Sequence, residues 1–174
     1  MERSEAKVLD ALLPMEMART AEDVGVSKAR AGVVKMAALA VLAGAFIALG
    51  AVFSTLVTSG STLPYGVTKL LGGLAFSLGL ILVVVGGAEL FTGNNLLIMA
   101  WASRKITTFQ VLRNWLIVYA GNMFGATSVV IMILLSGHYL FGNGITGANM
   151  LAIAEAKCEL GFIQSVTLGI LCNI

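Results

Sequence analysis

The chemically most unusual part of the chain is the stretch ILVVVGGAELFTGNNLLIMAWA, residues 81–102, in which polar groups interrupt an apolar run. Directly after two glycines it carries a carboxylate, a hydroxyl and two amides, on Glu89, Thr92, Asn94 and Asn95. Polar groups inside such a run are costly, and they mark ion or substrate pathways. If the helix breaks here, backbone N–H groups and the Thr92 hydroxyl would line a small polar site, and helix N-termini favour anions.

The carboxylate of Glu89 allows two interpretations. Because a bare carboxylate repels an anion, it could be held by backbone donors or another polar side chain, and would then anchor the loop together with Asn94. Alternatively it binds a cation or a proton, which is the usual role of an acid inside a membrane. The residues alone favour neither role.

Composition predicts a membrane protein. Of the 174 residues, 58% are hydrophobic and only 11% are charged, whereas soluble domains carry about 25% charged residues. The mean hydropathy is +0.94, so we expect an all-α integral membrane protein. A net charge of +2 gives no reason to expect a nucleic-acid partner. One histidine, no Ser-His-Asp set and no metal-ligand spacing argue against an enzyme, a metal site or a cofactor.

The apolar runs predict the membrane spans. The run from residue 36 to residue 58 can cross a bilayer of about 30 Å. Residues 69–103 would form a straight helix about 50 Å long, so we expect that helix to break at 86–95, where protein or a water-filled cavity satisfies its backbone. The third span is WLIVYAGNMFGATSVVIMILLSG, and residues 138–158 are predicted to be a long connection. The last run, residues 161–174, is too short to cross, and we expect it to continue in a longer chain.

Positive residues predict the orientation. Three precede the first span, Lys28, Arg30 and Lys35, and three lie between the broken helix and the third span, Arg104, Lys105 and Arg113. By the positive-inside rule the N-terminus is cytoplasmic and the connection 138–158 faces outward.

We divide the chain into a cytoplasmic amphipathic segment, residues 1–32, and a transmembrane domain, residues 33–174. In the first segment, apolar residues recur at helical spacing, namely Leu9, Leu12, Leu13 and Met17. This helix would lie against the membrane or a neighbouring subunit, or it would be a solvated terminal helix.

Apolar residues near the break could gate a pore. Leu80, Leu90 and Phe91 could form constrictions that exclude water, and Phe76 has the same potential, although such residues are also ordinary packing residues. Lys157 could concentrate anions at a vestibule mouth, or simply extend to the membrane interface. Amides such as Asn173 suit contacts between helices.

Longer motifs carry a family resemblance. The segments LPYGVTKLLGGLAFSLGLILVVVGGAELFTGNN, KITTFQVLRNWLIVYAGNMFGA and AKCELGFIQSVTLGILCN closely resemble the formate/nitrite transporter family, as does the N-terminal LLPMEMARTAEDVGVSKA. The resemblance implies an aquaporin-like helical bundle of six spans, built from two inverted three-span repeats with an interrupted second helix. It also implies a homopentamer with one pore per subunit, in the inner (plasma) membrane, that passes small monovalent anions, in some members with a proton.

The resemblance also assigns roles to residues. Thr92 matches the threonine that meets the substrate, Lys157 a lysine near the central vestibule, and Asn173 a pore-lining amide. The cytoplasmic constriction matches Leu80, Leu90 and Phe91, and the periplasmic one matches Phe76. Because family members carry an acid at position 89 while moving anions, the loop-anchoring role is implied for Glu89. The family's central histidine lies in a fifth helix, so His138 does not match it.

The expected function is therefore transport of a small anion, formate first, with nitrite or hydrosulfide as the runner-up. A neutral-solute pore of aquaporin type is less favoured, because Lys157 is cationic and Asn-Pro-Ala loops are missing. A third alternative is a subunit that assembles or anchors without transporting, in which the polar loop would be fully packed.

Overall fold

The computed structural model describes residues 13–173, and within that range the chain contains helices and no strand. Two of the predicted N-terminal apolar residues, Leu9 and Leu12, lie outside the described residues. In chain order the eight α-helices are α1 (Pro14–Arg30), α2 (Val33–Thr58), α3 (Tyr65–Val85), α4 (Phe91–Asn94), α5 (Leu97–Ala102), α6 (Thr108–Leu135), α7 (Ile145–Cys158) and α8 (Phe162–Asn173). The prediction of an all-α protein is confirmed.

Three of these helices, α2, α3 and α6, are long and apolar enough to cross a membrane. Their lengths of 26, 21 and 28 residues correspond to about 30–40 Å at 1.5 Å per residue. Helix α2 lies between the other two and packs against both. The three helices therefore form the bundle on which the remaining elements are placed.

Small residues allow these helices to approach closely. A Cβ added to Gly50 on α2 would lie 2.9 Å from the Cα of Gly79 on α3. On the other side of α2, a Cβ at Gly44 would collide with the backbone carbonyl of Asn122, and one at Gly125 with that of Val41. Such contacts are how membrane helices gain packing energy where lipid gives no hydrophobic driving force.

The N-terminal helix α1 packs onto its own chain. Pro14 occupies the first turn of α1, where its missing N–H costs nothing. Gly25 faces Ala100 of α5, and Ala29 is fully buried in a cluster with Leu97, Ala100, Ile106 and Val111. From the sequence we predicted that this helix contacts the membrane or a neighbouring subunit, or is solvated. Its packing against α5 was not predicted. Val26 also packs against this cluster, whereas Met15, Met17 and Val24 of α1 and the preceding Leu13 remain exposed.

Residues 138–158 connect α6 to α8 as predicted, but the prediction that they form a loop is wrong. A short 3-10 helix, His138–Leu140, is followed by the 14-residue α7. The prediction gave too much weight to the glycines. Gly142 and Gly144 adopt positive φ and form a turn, whereas the residues after them include the strong helix formers Ala, Leu, Met, Glu and Lys.

Helix α7 is tied to the far end of α2 by one amide. The Nδ2 of Asn149 lies 3.0 Å from the carbonyl oxygen of Thr55 and 3.2 Å from Oγ1 of Thr58. Helix α8 differs, since its side chains from Phe162 to Cys172 are all exposed.

Candidate functional site at the helix break

Helix α3 stops at Val85 through a Schellman motif, the common glycine-dependent helix ending. Gly87 adopts φ +58°, a left-handed conformation that glycine accepts without strain. The N–H of Ala88 then donates to the carbonyl of Val83 at 3.0 Å, and that of Gly87 to Val84 at 3.2 Å. Val83 and Ala88 pack together against Ala43 of α2. The GGA sequence thus ends the helix and turns the chain, so the predicted interruption is present.

Several backbone groups directly after the turn are hydrogen-bonded by other parts of the protein, which suits a helix break at membrane depth. The N–H of Glu89 donates to the carbonyl of Leu39 at 3.2 Å. Asn122 of α6 supplies the other partners, because its Nδ2 donates to the carbonyls of Glu89 at 2.9 Å and Ala40 at 2.8 Å. Its Oδ1 accepts from the N–H of Phe91 at 2.9 Å. One amide therefore joins the break to both neighbouring helices.

A polar network lies beneath this segment. The Nζ of Lys28 donates to Oδ1 of Asn94 at 2.8 Å and pairs with Oε2 of Glu89 at 3.2 Å. The Nδ2 of Asn94 donates to the same carboxylate oxygen at 2.7 Å and to Oδ1 of Asn114 at 2.9 Å. Glu89 is 8% exposed, and Asn94 and Asn114 are fully buried. The carboxylate is thus neutralised by one cation and one amide, and it does not face a ligand uncompensated.

The roles of three residues in and around this polar network were not predicted from the sequence. Lys28 was considered only for orientation, Asn114 was not singled out, and Trp115 was overlooked although its Nε1 donates to the carbonyl of Asn94 at 3.1 Å. Helical periodicity could have found part of it. Asn114 and Asn122 are eight residues apart and share a face of α6 with the buried Val118.

The exposed side of the break carries hydrogen-bond donors. Thr92 is exposed, and within residues 13–173 no hydrogen bond involves its hydroxyl. Nor do the N–H groups of Thr92 and Gly93, in the first turn of α4, bond to an acceptor there. The arrangement offers hydrogen-bond donors on a rigid support, which suits an anion.

A positively charged cavity lies on the α1 side of the break. It measures about 560 Å³, and its lining includes Lys28, Arg30, Lys35 and Glu89. Of these cations only Lys28 forms an ion pair within the described part of the chain. Three cations against one carboxylate give this side of the break a positive potential.

A second charged cluster attaches α1 to the turn after α5. The Nζ of Lys105 lies 2.7 Å from Glu22 and 3.2 Å from Asp23, and Ser103 donates to Glu22 at 2.6 Å. The hydrogen bonds from Lys105 and then Ser103 hold the pKa of the Glu22 carboxyl below its ordinary value. Bonding to Glu22 and then Asp23 raises the pKa of Lys105.

Comparison with known proteins identifies the family. The sequence model described as formate/nitrite transporter matches residues 15–174. The chain belongs to the formate/nitrite transporter family. It is 48% identical to the formate channel FocA of Escherichia coli strain K12 over 166 residues, which is 95% of this chain and 58% of that protein. It is 42% identical to the formate channel FocA of Haemophilus influenzae, covering 94% of this chain and 58% of that one.

A solved structure gives the same result. This chain is similar to a pentameric formate channel with formate bound, with a TM-score of 0.77 and 46% identity, over 81% of this chain and 56% of that one. The chain thus spans a little over half the length of the relatives it matches. The family is described as one of transporters, which agrees with the expectation from the sequence that the protein is not an enzyme.

The structure brings together some of the site residues that the sequence predicted. Leu90 packs against the cluster of Ala43, Val83 and Ala88. Phe91 makes edge contacts with the rings of Trp115 and Tyr119, at centroid distances of 6.2 and 5.5 Å. Both residues are half-buried and directly precede Thr92 in the chain.

Other predicted residues lie apart from the break. Phe76 and Leu80 are 39% and 50% exposed, one helical turn apart on α3. Lys157 is exposed in the last turn of α7, where its charge suits the helix dipole, and no contact of the described residues joins it to Thr92. Asn173 ends α8, and its side chain lies outside the described part.

Proposed function

We propose that the protein passes small monovalent anions, formate first, across the membrane, and that the anion pauses at the donors around Thr92. The observation that carries the proposal is the contrast between the two sides of the break. On the buried side, Lys28, Glu89, Asn94 and Asn122 are hydrogen-bonded to one another or to backbone groups, whereas the hydroxyl and N–H groups of Thr92 on the exposed side have no acceptor among the described residues. Relatives at 48% and 42% identity carry the name formate channel, which supports formate as the first candidate.

In this proposal Glu89 and Asn94 anchor the loop. The carboxylate balances Lys28, so that the anion at Thr92 meets a neutral frame with outward donors. Leu90 and Phe91, with Leu80, form the cytoplasmic constriction, and Phe76 forms the periplasmic one. Exclusion of water by such rings would force the anion to shed its hydration, which the donors of Thr92 replace.

Lys157 and Asn173 complete the pathway. An ammonium group near the central vestibule stabilises an approaching anion and favours its passage. It would also make a nearby weak acid more acidic. Since the ammonium group favours the ionised form, proton coupling in this proposal requires that the anion takes up its proton beyond Lys157, at the apolar constriction, which the neutral acid then crosses.

The assembly is proposed to be a homopentamer in the inner (plasma) membrane with the N-terminus in the cytoplasm. The similar structure is described as a pentameric channel, and large apolar side chains exposed on α3 and α6, such as Leu74 and Leu116, need lipid or protein neighbours. Each subunit would hold one pore in an aquaporin-like bundle of six spans.

The test is solute-driven swelling of vesicles that contain the full-length protein. Vesicles with the protein should swell in ammonium formate much faster than empty vesicles, and should not swell faster in glycerol. Parallel assays with nitrite and hydrosulfide rank the anions, and a higher rate for either makes it the principal substrate. Equal rates in glycerol and formate would replace this proposal with a neutral-solute pore, and no flux at all would favour a non-transporting subunit.

A further inference from the structure

The bundle has a second cavity, with several polar side chains in a largely apolar wall, at the end opposite the break. It measures about 490 Å³ and lies between α2, α3 and α7. Hydroxyls of Ser54 and Thr58 line one side, Lys69 and Phe76 of α3 another, and Asn149 of α7 the third. We call this cavity the Lys69 vestibule.

One face of α3 leads from the Lys69 vestibule toward the break. Lys69, Gly73, Phe76 and Leu80 follow one another at intervals of four, three and four residues, which places them in one stripe along a helix. At 1.5 Å per residue, Lys69 lies about 10 Å above Phe76 along the axis, and Leu80 about 6 Å below it. Nothing lies within 4 Å of a Cβ built on Gly73, so the stripe is open between the cation and the aromatic ring.

Among residues 13–173, no acid balances the positive charge of the Lys69 vestibule. No carboxylate lines it, and within residues 13–173 Lys69 takes part in no ion pair. The ammonium group of Lys69 lies over the ring of Tyr65, with 5.3 Å between Nζ and the ring centroid. A ring face holds an ammonium group without neutralising it. A single unbalanced cation in a concave, partly apolar wall raises the local concentration of anions.

We propose that the Lys69 vestibule is a second, weak binding site for the transported small anion, which it receives before Phe76. This inference rests on the proposed function and adds a recruiting residue to it. Because Lys69 is exposed and keeps its water, the bound anion is held loosely and can move on. The site would therefore change the apparent KM of transport while leaving the maximal rate little changed.

The test is the concentration dependence of formate flux into vesicles, with the Lys69 end facing the formate, for the full-length protein and its variants. At low ionic strength, Lys69→Gln should raise the apparent KM about two- to fivefold. Lys69→Arg should restore it. Gly73→Asp, which adds a carboxylate where there is open space, should raise it further. Screening by an impermeant salt at about 0.5 M should remove most of the difference.

The matched control is Arg104→Asn, which removes one exposed cation at the opposite end. Arg104 has φ +58°, a conformation that Asn adopts readily. If Lys69→Gln has the same KM as Arg104→Asn, or if its effect is independent of salt, the inference is overturned. Either of these results, with normal formate flux in the wild-type protein, would leave the proposed function standing. Absence of formate flux in the wild-type protein would overturn both the proposed function and this inference, so the two failures are distinguishable.

Discussion

Lys28 and Glu89 are 61 residues apart in the chain, yet their side chains form an ion pair of 3.2 Å under the helix break. The pair connects the N-terminal helix α1 with the segment that presents Thr92. Asn94 bonds to both partners, at 2.8 Å to Lys28 and 2.7 Å to Glu89. The geometry of the break therefore depends on a helix outside the three long apolar ones.

Removal of the Lys28 ammonium by Lys28→Met should destabilise the protein. Glu89 is 8% exposed and would lose its cation, and breaking a buried pair in this way costs about 3–5 kcal/mol. Since 26% of the Lys28 side chain is exposed, solvent screening reduces our expectation to about 1–3 kcal/mol. The measurement is the thermal unfolding midpoint in detergent. Lys35→Met removes a nearby cation that has no ion pair among residues 13–173, and an equal effect of the two variants would argue against the role of the pair.

Asn122→Leu should disrupt the break from the α6 side. It leaves the N–H of Phe91 and the carbonyl of Glu89 without partners, and each buried group left unpaired costs about 1–3 kcal/mol. Thermal stability and formate flux should both fall. Asn149→Leu is the control, because it removes amide bonds at the far end of α2 and should lower stability with less effect on flux at saturating formate. Equal flux losses would indicate that the amide at 122 has no special relation to the site.

Two glycine substitutions with different expected effects on stability test the close packing of α2 against α6. Gly44→Ala places a methyl group against the backbone carbonyl of Asn122, and overpacking of this kind costs about 1–3 kcal/mol. Gly73→Ala meets open space and should be neutral or stabilising, since Ala is the better helix former by about 1 kcal/mol. The unfolding midpoint should therefore fall in Gly44→Ala and should stay the same or rise in Gly73→Ala. A Gly44→Ala protein as stable as Gly73→Ala would show that α2 and α6 do not pack this closely.

The sequence predicted the elements of this fold better than the contacts among them. The Gly86–Gly87 pair within an apolar run was a sufficient local signal for the break, because it provides a Schellman ending directly. The partners of Glu89 and Asn94 were not predictable in the same way, since Lys28 and Asn114 reach the site through tertiary packing across twenty or more residues of sequence. The error over residues 138–158 had a local cause, because glycines at one turn obscured the strong helix formers that follow.

The Lys105 cluster predicts how attachment of α1 responds to pH. The Glu22 carboxyl has a lowered pKa, so its stabilising contribution is complete above its ordinary value of 4.5 and is lost as pH falls through the lowered pKa. Lys105 has a raised pKa, so its contribution is complete below 10.5 and is lost as pH rises through the raised value. Attachment should therefore be constant through neutral pH and weaken in acid below 4.5.

The measurement is the distance between spin labels on Thr20→Cys and Phe109→Cys, with Cys158 and Cys172 replaced by serine. The distribution should be narrow at neutral pH, and it should broaden in acid or at high salt. Lys105→Gln should broaden it at neutral pH, whereas Arg104→Asn should not. A distribution that is insensitive to Lys105→Gln would show that apolar packing of Gly25 and Ala29 alone holds the helix.

The most direct test of the central claim is formate flux through Thr92→Val, compared with Thr92→Ser, in vesicles with equal amounts of correctly assembled protein. Valine fills the same space without the hydroxyl, and a hydrogen bond to a charged group contributes about 1.5–3 kcal/mol, so we expect flux to fall about 10- to 100-fold. Serine keeps the donor and should retain most of the flux. Equal flux in Thr92→Val and Thr92→Ser would contradict the claim that the anion pauses at this hydroxyl.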